Sequence, residues 1–202
     1  MGLTLLTPAV EEPVTRDMVK DHLRIHRDVT QFDQYLDQLA TAARGYAETF
    51  LRRQLLPATW RLSLDRPPRY RDTELGFSAE IWLPRPPLIE IVRVRYRDGA
   101  GAWVDLASSD YVVCTNFEPG KIFPSEDLGG SWPECSLEPG SFEIDFKAGY
   151  ADSSKVPSMI CIGICEIARQ LYDGVDLEKA MRGVHHLLYP YRVLDERTLN
   201  HA

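Results

Sequence analysis

The sequence lacks the cysteine pattern of an extracellular scaffold and the long apolar run of a membrane protein. Its four cysteines, Cys114, Cys135, Cys161 and Cys165, include no CxxC pair, and their density is too low for a disulfide framework. No run of about 18 apolar residues occurs, and the opening MGLTLLTPAVEEP has no basic region followed by a cleavage site. We therefore expect a soluble protein that folds in a reducing cytosol, is not secreted and does not enter a membrane.

Basic residues are also fewer than acidic ones. The 23 lysines and arginines are outnumbered by 30 aspartates and glutamates, which leaves a formal net charge of −7. A general nucleic-acid binder needs clustered basic side chains that neutralise phosphates, so this class of function is not favoured. The charge balance is compatible with a protein that surrounds DNA without gripping it.

Catalytic signatures are absent from the sequence. It contains no GxSxG motif, no Walker A loop and no glycine-rich dinucleotide fingerprint. His22 and His26 are four residues apart, a spacing at which two imidazoles on one helix can share a zinc ion, but no glutamate in the metalloprotease pattern and no third ligand accompany them. A solvated helix face explains the pair more simply. We therefore predict no enzyme and assign no catalytic residue, metal ligand or cofactor-binding residue.

The N-terminal region has the patterns of two helices. Thr15 has the features of an N-cap, with Val14 and Val19 placed as a hydrophobic staple, for a first helix that runs to about Ile25. Gly45 lies within the second helix, where glycine costs roughly 1 kcal/mol relative to alanine, and a tight helix crossing would explain it. Spacings of three and four predict one continuous apolar stripe along this second helix: Phe32, Tyr35, Leu36, Leu39, Ala43, Tyr46, Ala47 and Phe50.

From residue 57 to residue 150 the apolar period changes to two, the pattern of half-buried strands. The clearest case is IVRVRYR, and Asp98-Gly99 follows it as a hairpin signal. One face of this strand is predicted to carry Val92, Val94 and Tyr96, and the opposite face Arg93, Arg95 and Arg97. A solvated outer face is the simpler interpretation of the arginines, and contact with an acidic partner is the alternative.

Further short strands are predicted along the same region, with turn residues between them. This spacing favours a small antiparallel sandwich or barrel. The predicted strands cover residues 60–64, 103–106, 111–114, 121–123 and 142–146.

A third helix is predicted over residues 159–172. It is apolar nearly all round, so we expect burial on several sides, and Cys161 and Cys165 are interpreted as small buried hydrophobes. Beyond this helix, residues 175–182 fit one short helix, and HHLLYPYRV (185–193) is typical of an extended or loosely packed tail.

Together these patterns predict an α+β fold. Two N-terminal helices (14–56) and a C-terminal helix (151–174) form a helical frame. A small antiparallel β-sandwich or barrel (57–150) is inserted between them in the chain, and residues 175–202 follow as a tail.

Five segments, taken in order, carry a resemblance to a known family. They are VTRDMVKDHLRIHRDVTQFDQYLDQLATAARGYAETFLRRQLLPATWRLSLD, IWLPRPPLIEIVRVRYRDGAGAWVDLASSDYVV, PGKIFP, SWP and FEIDFKAGYADSSKVPSMICIGICEIARQLYDG. No single motif is diagnostic, but their order and spacing over residues 14–193 are specific. The chain resembles the head–tail connector (adaptor) proteins of long-tailed phages and gene-transfer agents.

The resemblance implies a structural role in the neck of a virion. In this family many copies, typically twelve, form a homo-oligomeric ring beneath the portal protein of a filled capsid. The ring extends the DNA channel, through which DNA passes without specific binding, and offers a platform for the next neck component, a stopper or tail terminator. Assembly in the bacterial host cytoplasm is implied, with no catalytic site, no cofactor and no membrane.

The resemblance also implies where this chain makes contacts. The portal-docking candidates are the C-terminal residues Leu187, Leu188, Tyr189, Tyr191, Arg192 and Val193. We add Arg93, Arg95 and Arg97 as candidates for contact with a neighbouring subunit or another neck protein.

Two other functions remain open on the sequence alone. The β-region is a possible ligand-binding sandwich in which Trp82, Trp103 and Trp132 form a stacking platform, although core packing is the favoured role for each indole. The less favoured alternative is a metal-dependent enzyme that uses His22 and His26.

Overall fold

The computed structural model describes residues 1–68 and 79–194. It confirms the α+β class, and the chain divides into two compact units. The β unit comprises Met1–Pro8 and Pro57–Gly149, and the helical unit comprises Ala9–Leu56 and the described residues from Tyr150 onward.

The described residues of the β unit form two antiparallel sheets. The larger sheet has five strands in the order β1-β2-β8-β4-β5, and the smaller sheet has three in the order β3-β7-β6. Buried residues of both sheets, including Leu62, Ile81, Val94 and Ile122, belong to one hydrophobic cluster. The strands are β1 (Gly2–Thr7), β2 (Ala58–Leu64), β3 (Ile81–Trp82), β4 (Leu88–Arg97), β5 (Trp103–Asp105), β6 (Tyr111–Cys114), β7 (Lys121–Pro124) and β8 (Phe142–Ala148).

Strand β1 is absent from the elements predicted from the sequence. It pairs antiparallel with β2, from Gly2 opposite Ser63 to Thr7 opposite Thr59. The first eight residues therefore belong to the β unit, although the helices follow them directly in the chain.

Strand β4 departs from strict alternation at Val92. The pairing of β4 with β8 shifts between Ile91 and Arg93, so a β-bulge turns Val92 outward, where it is 57% exposed. The prediction that Val92 shares a face with Val94 and Tyr96 is wrong for this reason. Val94 is fully buried, as expected, and Ile91 packs against the core instead of Val92.

The hairpin predicted at Asp98-Gly99 is present between β4 and β5. Asp98 organises the turn because its Oδ1 accepts from the amides of Ala100 and Ala102, both at 2.9 Å. The left-handed residue is Gly101, with φ +83°, so the turn is longer than a two-residue loop at Asp98-Gly99.

Up to residue 194 the helical unit has four α-helices: α1 (Arg16–Leu23), α2 (Asp33–Leu51), α3 (Ser158–Tyr172) and α4 (Leu177–Leu188). The predicted cap is confirmed, since Thr15 Oγ1 accepts from the amide of Met18 at 3.2 Å. Helix α1 ends at Leu23 rather than near Ile25, because Arg24 adopts a left-handed conformation with φ 59°. None of the helices within the described ranges is both long enough and apolar enough to cross a membrane.

The stripe predicted along α2 splits into a buried part and an exposed part. Leu36, Ala43 and Ala47 are fully buried and Leu39 nearly so. Three aromatic members lie at the surface instead, with exposed fractions of 36%, 45% and 41% for Phe32, Tyr35 and Tyr46.

Helix α4 corrects the prediction for the C-terminal region. Residues 177–188 form one continuous helix in place of a short helix followed by a loose tail. Its buried positions Ala180, Val184 and Leu188 recur every four residues and are all fully buried. Of the predicted tail, residues 195–202 lie outside the described part of the chain.

Close helix packing occurs at Gly163, not at Gly45. A Cβ at Gly45 would meet no atom within 4 Å, so the expected tight crossing there is wrong. A Cβ at Gly163 would lie 2.7 Å from Leu188 Cδ2. Glycine therefore allows α4 to approach α3 closely at this point.

Candidate interaction surfaces

The predicted portal-docking residues fall into a buried set and an accessible set. Leu188 is fully buried in the helical core, beside Gly163. Tyr189 is 48% exposed, and Leu187 is half-buried. Leu188 therefore stabilises the unit, whereas Leu187 and Tyr189 can contact a partner. We call residues 187–193 the C-terminal segment.

The end of the C-terminal segment is attached to the end of α2. The amide of Val193 donates to the carbonyl of Leu51, the last residue of α2, at 3.0 Å. Arg53 Nε donates to the carbonyl of Tyr191 at 2.6 Å. Both bonds involve the backbone of the segment, so its path is defined through residue 193.

Contacts of aromatic side chains support the same attachment. The Arg192 guanidinium lies 5.0 Å from the centre of the Phe50 ring, within range of a cation–π interaction. The Phe50 ring also meets His185 edge-on at 4.9 Å, and His185 lies 5.3 Å from the ring of Tyr189. This cluster of Phe50, His185, Tyr189 and Arg192 was not predicted, because Phe50 is 142 positions from Arg192 in the sequence.

The three candidate arginines of β4 have acidic partners within the β unit. Arg93 Nη2 donates to Asp145 at 2.9 Å, Arg95 Nε to Glu143 at 2.8 Å, and Arg97 Nη1 to Glu138 at 3.0 Å. Arg95 and Arg97 also lie over the Trp103 ring, with 4.3 and 4.8 Å to its centre. The arginines retain some exposure, 38% for Arg93, 20% for Arg95 and 36% for Arg97. The face is thus charged and partly solvated, and its arginines pair with Asp145 and Glu143 of β8 and with Glu138, which precedes β8 in the chain.

Arg61 also belongs to this face, although no pattern in the sequence indicated it. It lies on β2, directly opposite Asp145 on β8, and donates two hydrogen bonds to the Asp145 carboxylate, at 2.7 and 2.9 Å. Burial by itself raises the pKa of Asp145, but the hydrogen bonds from Arg61 and Arg93 outweigh this and hold the pKa below its ordinary value. The Asp145 carboxylate therefore stays charged and joins β2 to β4 through its ion pairs with Arg61 and Arg93.

The three tryptophans do not form a stacking platform. Trp132 is only 7% exposed, donates through Nε1 to the carbonyl of Ala79 at 2.7 Å and packs on Phe142. Trp82 and Trp103 are half-buried and belong to different sheets. Core packing is confirmed for Trp132, and the ligand-binding alternative is not favoured.

His22 and His26 do not share a helix face. Helix α1 ends at Leu23, so His26 lies beyond it. His22 Nε2 lies 3.0 Å from Glu166 Oε2 on α3, while His26 Nδ1 lies 3.3 Å from Asp28 Oδ2. The premise that His22 and His26 lie on one helix is therefore wrong, and a zinc ion shared by them is not favoured. Across residues 1–68 and 79–194 no group of three or more His, Cys, Asp or Glu side chains has the arrangement of a metal site.

A polar hollow of about 630 Å³ lies beside His22 in the helical unit. Its lining is mostly charged: Asp21, His22, Leu23, Arg24, Arg169, Tyr172 and Asp173. Glu166, next to it, accepts hydrogen bonds from Arg169, His22 and Gln170, which lower its pKa to about 2. Arg169 pairs there with Glu166 and Asp173, and we assign no chemistry to this hollow.

Comparison with known proteins connects the fold to particle necks. No protein-family model matches the chain, and no curated protein matches it. Solved structures do match, and they define the fold as one found in the neck of a gene transfer agent particle. The resemblance noted from the sequence is thereby confirmed at the level of the fold.

Three of these structures cover 96% of this chain and 97% of their own. A chain from the neck of an empty gene transfer agent particle, computed with C6 symmetry, has a TM-score of 0.74 at 22% identity. A chain from the virion of a native gene transfer agent particle has a TM-score of 0.72 at 22% identity. A chain from the neck of a native particle, computed with C12 symmetry, has a TM-score of 0.71 at 20% identity.

Proposed function

We propose that this chain is a head–tail connector (adaptor), a structural protein without catalytic activity in the neck of a phage-like particle. One observation carries the proposal: the likeness to neck chains covers 96% of this chain and 97% of theirs, with a TM-score of 0.74. Both units therefore take part in the match. A shared supersecondary motif would cover only part of either chain.

The chain acts as a member of a homo-oligomeric ring of twelve copies beneath the portal protein. This number follows the C12 symmetry with which one similar neck was computed. Ring contacts are heterologous, so each copy needs two different patches. The exposed aromatic residues of α2, Tyr35 and Tyr46, supply one uncharged surface suited to such a contact.

The C-terminal segment docks on the portal. Leu187, Tyr189, Tyr191, Arg192 and Val193 are its contact candidates, whereas Leu188 acts from within the core. Tyrosine and arginine are enriched in binding hot spots, which supports this assignment.

The arginine face of β4 contacts a neighbouring subunit or the next neck component, a stopper or tail terminator. Arg93 and Arg97 are the better placed of the three because more than a third of each side chain is exposed. Arg95 is mostly covered and serves the sheet itself.

The ring extends the DNA channel without holding the DNA. The net charge of −7 supports free passage, because a strongly basic wall would bind phosphates. No cofactor has a role in this function. The protein is then a component of the virion neck that assembles in the bacterial host cytoplasm.

Electron microscopy of particles made without this chain tests the proposal. The host strain carries a deletion of its gene, and a plasmid copy restores it in the control. We expect filled heads and separate tails in the deletion strain, and joined particles once the plasmid copy is expressed. Joined particles in the deletion strain would overturn the proposal.

A further inference from the structure

The C-terminal segment is ordered against the body of the helical unit, and the contacts identify what holds it. Helix α2 ends at Leu51, whose carbonyl lies in the last turn and has no partner within the helix. The amide of Val193 supplies that partner at 3.0 Å. The end of the segment thus supplies a hydrogen-bond donor to the last carbonyl of α2.

Arg53 fixes the segment two residues earlier. Its Nε donates to the backbone carbonyl of Tyr191 at 2.6 Å, across 138 positions of sequence. The bond is charge-assisted, which makes it stronger than a bond between neutral groups. Because the acceptor is a backbone atom, the bond constrains the path of the segment whatever side chain stands at position 191.

Phe50 holds the segment from a third side. Its ring contacts the Arg192 guanidinium at 5.0 Å and the His185 ring at 4.9 Å. Three residues at the end of α2 and just after it therefore contact the segment: Phe50 meets Arg192, Leu51 meets Val193 and Arg53 meets Tyr191.

We infer that Arg53 is a positioning residue that pre-organises the C-terminal segment for docking on the portal. The inference rests on the proposed function. A free tether must be ordered when it binds, and this lowers its affinity. A segment already held by Arg53 presents Tyr189 and its neighbours in one arrangement, so docking does not have to order them.

Substitution at Arg53 in the full chain tests this role, with Arg52 as the matched control. Arg52 is the adjacent residue, it is exposed, and within the described residues its side chain has no hydrogen bond or ion pair. The variants are Arg53→Ala, Arg53→Lys and Arg52→Ala. Three quantities are measured: amide exchange at Val193, ring assembly, and affinity for the purified portal protein of the same particle.

We expect Arg53→Ala to speed exchange at Val193 and to weaken portal binding roughly ten-fold, with ring assembly unchanged. Arg53→Lys keeps a hydrogen-bond donor without the rigid fork of arginine, so its affinity for the portal should lie between those of the wild type and Arg53→Ala. Arg52→Ala leaves all three quantities at the wild-type level. A general loss of folding would move ring assembly and every amide together, so it is distinguishable from a positioning effect.

A chain that ends at Leu188 separates this inference from the proposed function. If that chain loses portal binding while Arg53→Ala and Arg53→Lys retain wild-type affinity and wild-type exchange at Val193, the positioning role is overturned and portal docking stands. If the shortened chain binds the portal at full strength, docking through this segment is itself wrong, and the positioning role fails with it.

Discussion

Arg61 and Asp145 form a bidentate ion pair on the outer face of the five-stranded sheet. Arg61 Nε donates to Asp145 Oδ1 at 2.7 Å and Nη2 donates to Oδ2 at 2.9 Å. Arg93 donates to the same carboxylate from the other side, at 2.9 Å. One aspartate on β8 therefore links β2 and β4, the two strands that flank it.

Replacement of Asp145 by asparagine should destabilise the protein by about 2 kcal/mol, because it leaves two arginines without their carboxylate. The free energy of unfolding at pH 7, measured by urea titration, checks this. Glu90→Gln is the matched control, since Glu90 is on the neighbouring strand, is 60% exposed and lies 3.9 Å from Lys147. Its expected change is within about 0.5 kcal/mol. Equal losses of unfolding free energy in both variants would contradict the role of Asp145 in joining β2 to β4.

Glu166 should make the stability of the protein depend on pH in the acid range. Hydrogen bonds from Arg169, His22 and Gln170 lower its pKa from 4.5 to about 2. A carboxylate with a depressed pKa in the folded state stabilises the fold above its unfolded pKa. This contribution is lost as the pH falls from about 4.5 towards about 2.

The comparison of wild type with Glu166→Gln measures this contribution. At pH 7 the variant should be less stable by on the order of 2 kcal/mol. The difference in stability should shrink as the pH is lowered from 7 to 3, because Glu166 of the unfolded wild-type chain, with a pKa near 4.5, takes up a proton while the folded chain is still mostly ionised. A gap that stays constant over this range would show that the charge of Glu166 does not stabilise the fold.

Replacement of two helical glycines by alanine should change the free energy of unfolding in opposite directions. Gly45→Ala should raise the free energy of unfolding by roughly 1 kcal/mol, because alanine favours the helix and its Cβ would lie in open space. Gly163→Ala should lower it by about 1–3 kcal/mol, because the new Cβ would lie 2.7 Å from Leu188 Cδ2. Thermal unfolding of both variants provides the measurement. A stabilising Gly163→Ala would contradict the close approach of α3 and α4.

Adjacent residues of the C-terminal segment should separate folding from docking. Leu188 is fully buried, so Leu188→Ala should cost about 2–5 kcal/mol of stability. Tyr189 is 48% exposed, so Tyr189→Ala should change stability by less than about 1 kcal/mol while it weakens portal binding. Urea unfolding and a portal-binding assay on the same samples check both. Intact portal binding by Tyr189→Ala would remove Tyr189 from the docking surface.

Local patterns predicted most of the strands and helices because each has its own signal. The change of period at residue 57, the Thr15 cap and the alternation of Phe142, Ile144 and Phe146 all agree with the structure. Strand β1 was missed because six residues of GLTLLT show little pattern until β2 pairs with them. The bulge at Val92 likewise depends on the register with β8, which the sequence of β4 alone does not contain.

Helix α4 did carry a signal that was missed. Ala180, Val184 and Leu188 are spaced by four, but two adjacent histidines and Tyr-Pro-Tyr favoured an extended tail. Long-range contacts were beyond local patterns altogether. The bond from Arg53 to Tyr191 and the pair of Arg61 with Asp145 join residues 138 and 84 positions apart, so only the folded chain brings them together.

A reconstruction of the neck in the particle that contains this chain, computed without imposed symmetry, is the decisive test of a connector role. We predict twelve copies of this fold in one ring beneath the portal, with residues 189–193 in contact with the portal protein. A neck that lacks this chain, or a ring in which these residues face away from the portal, would contradict it.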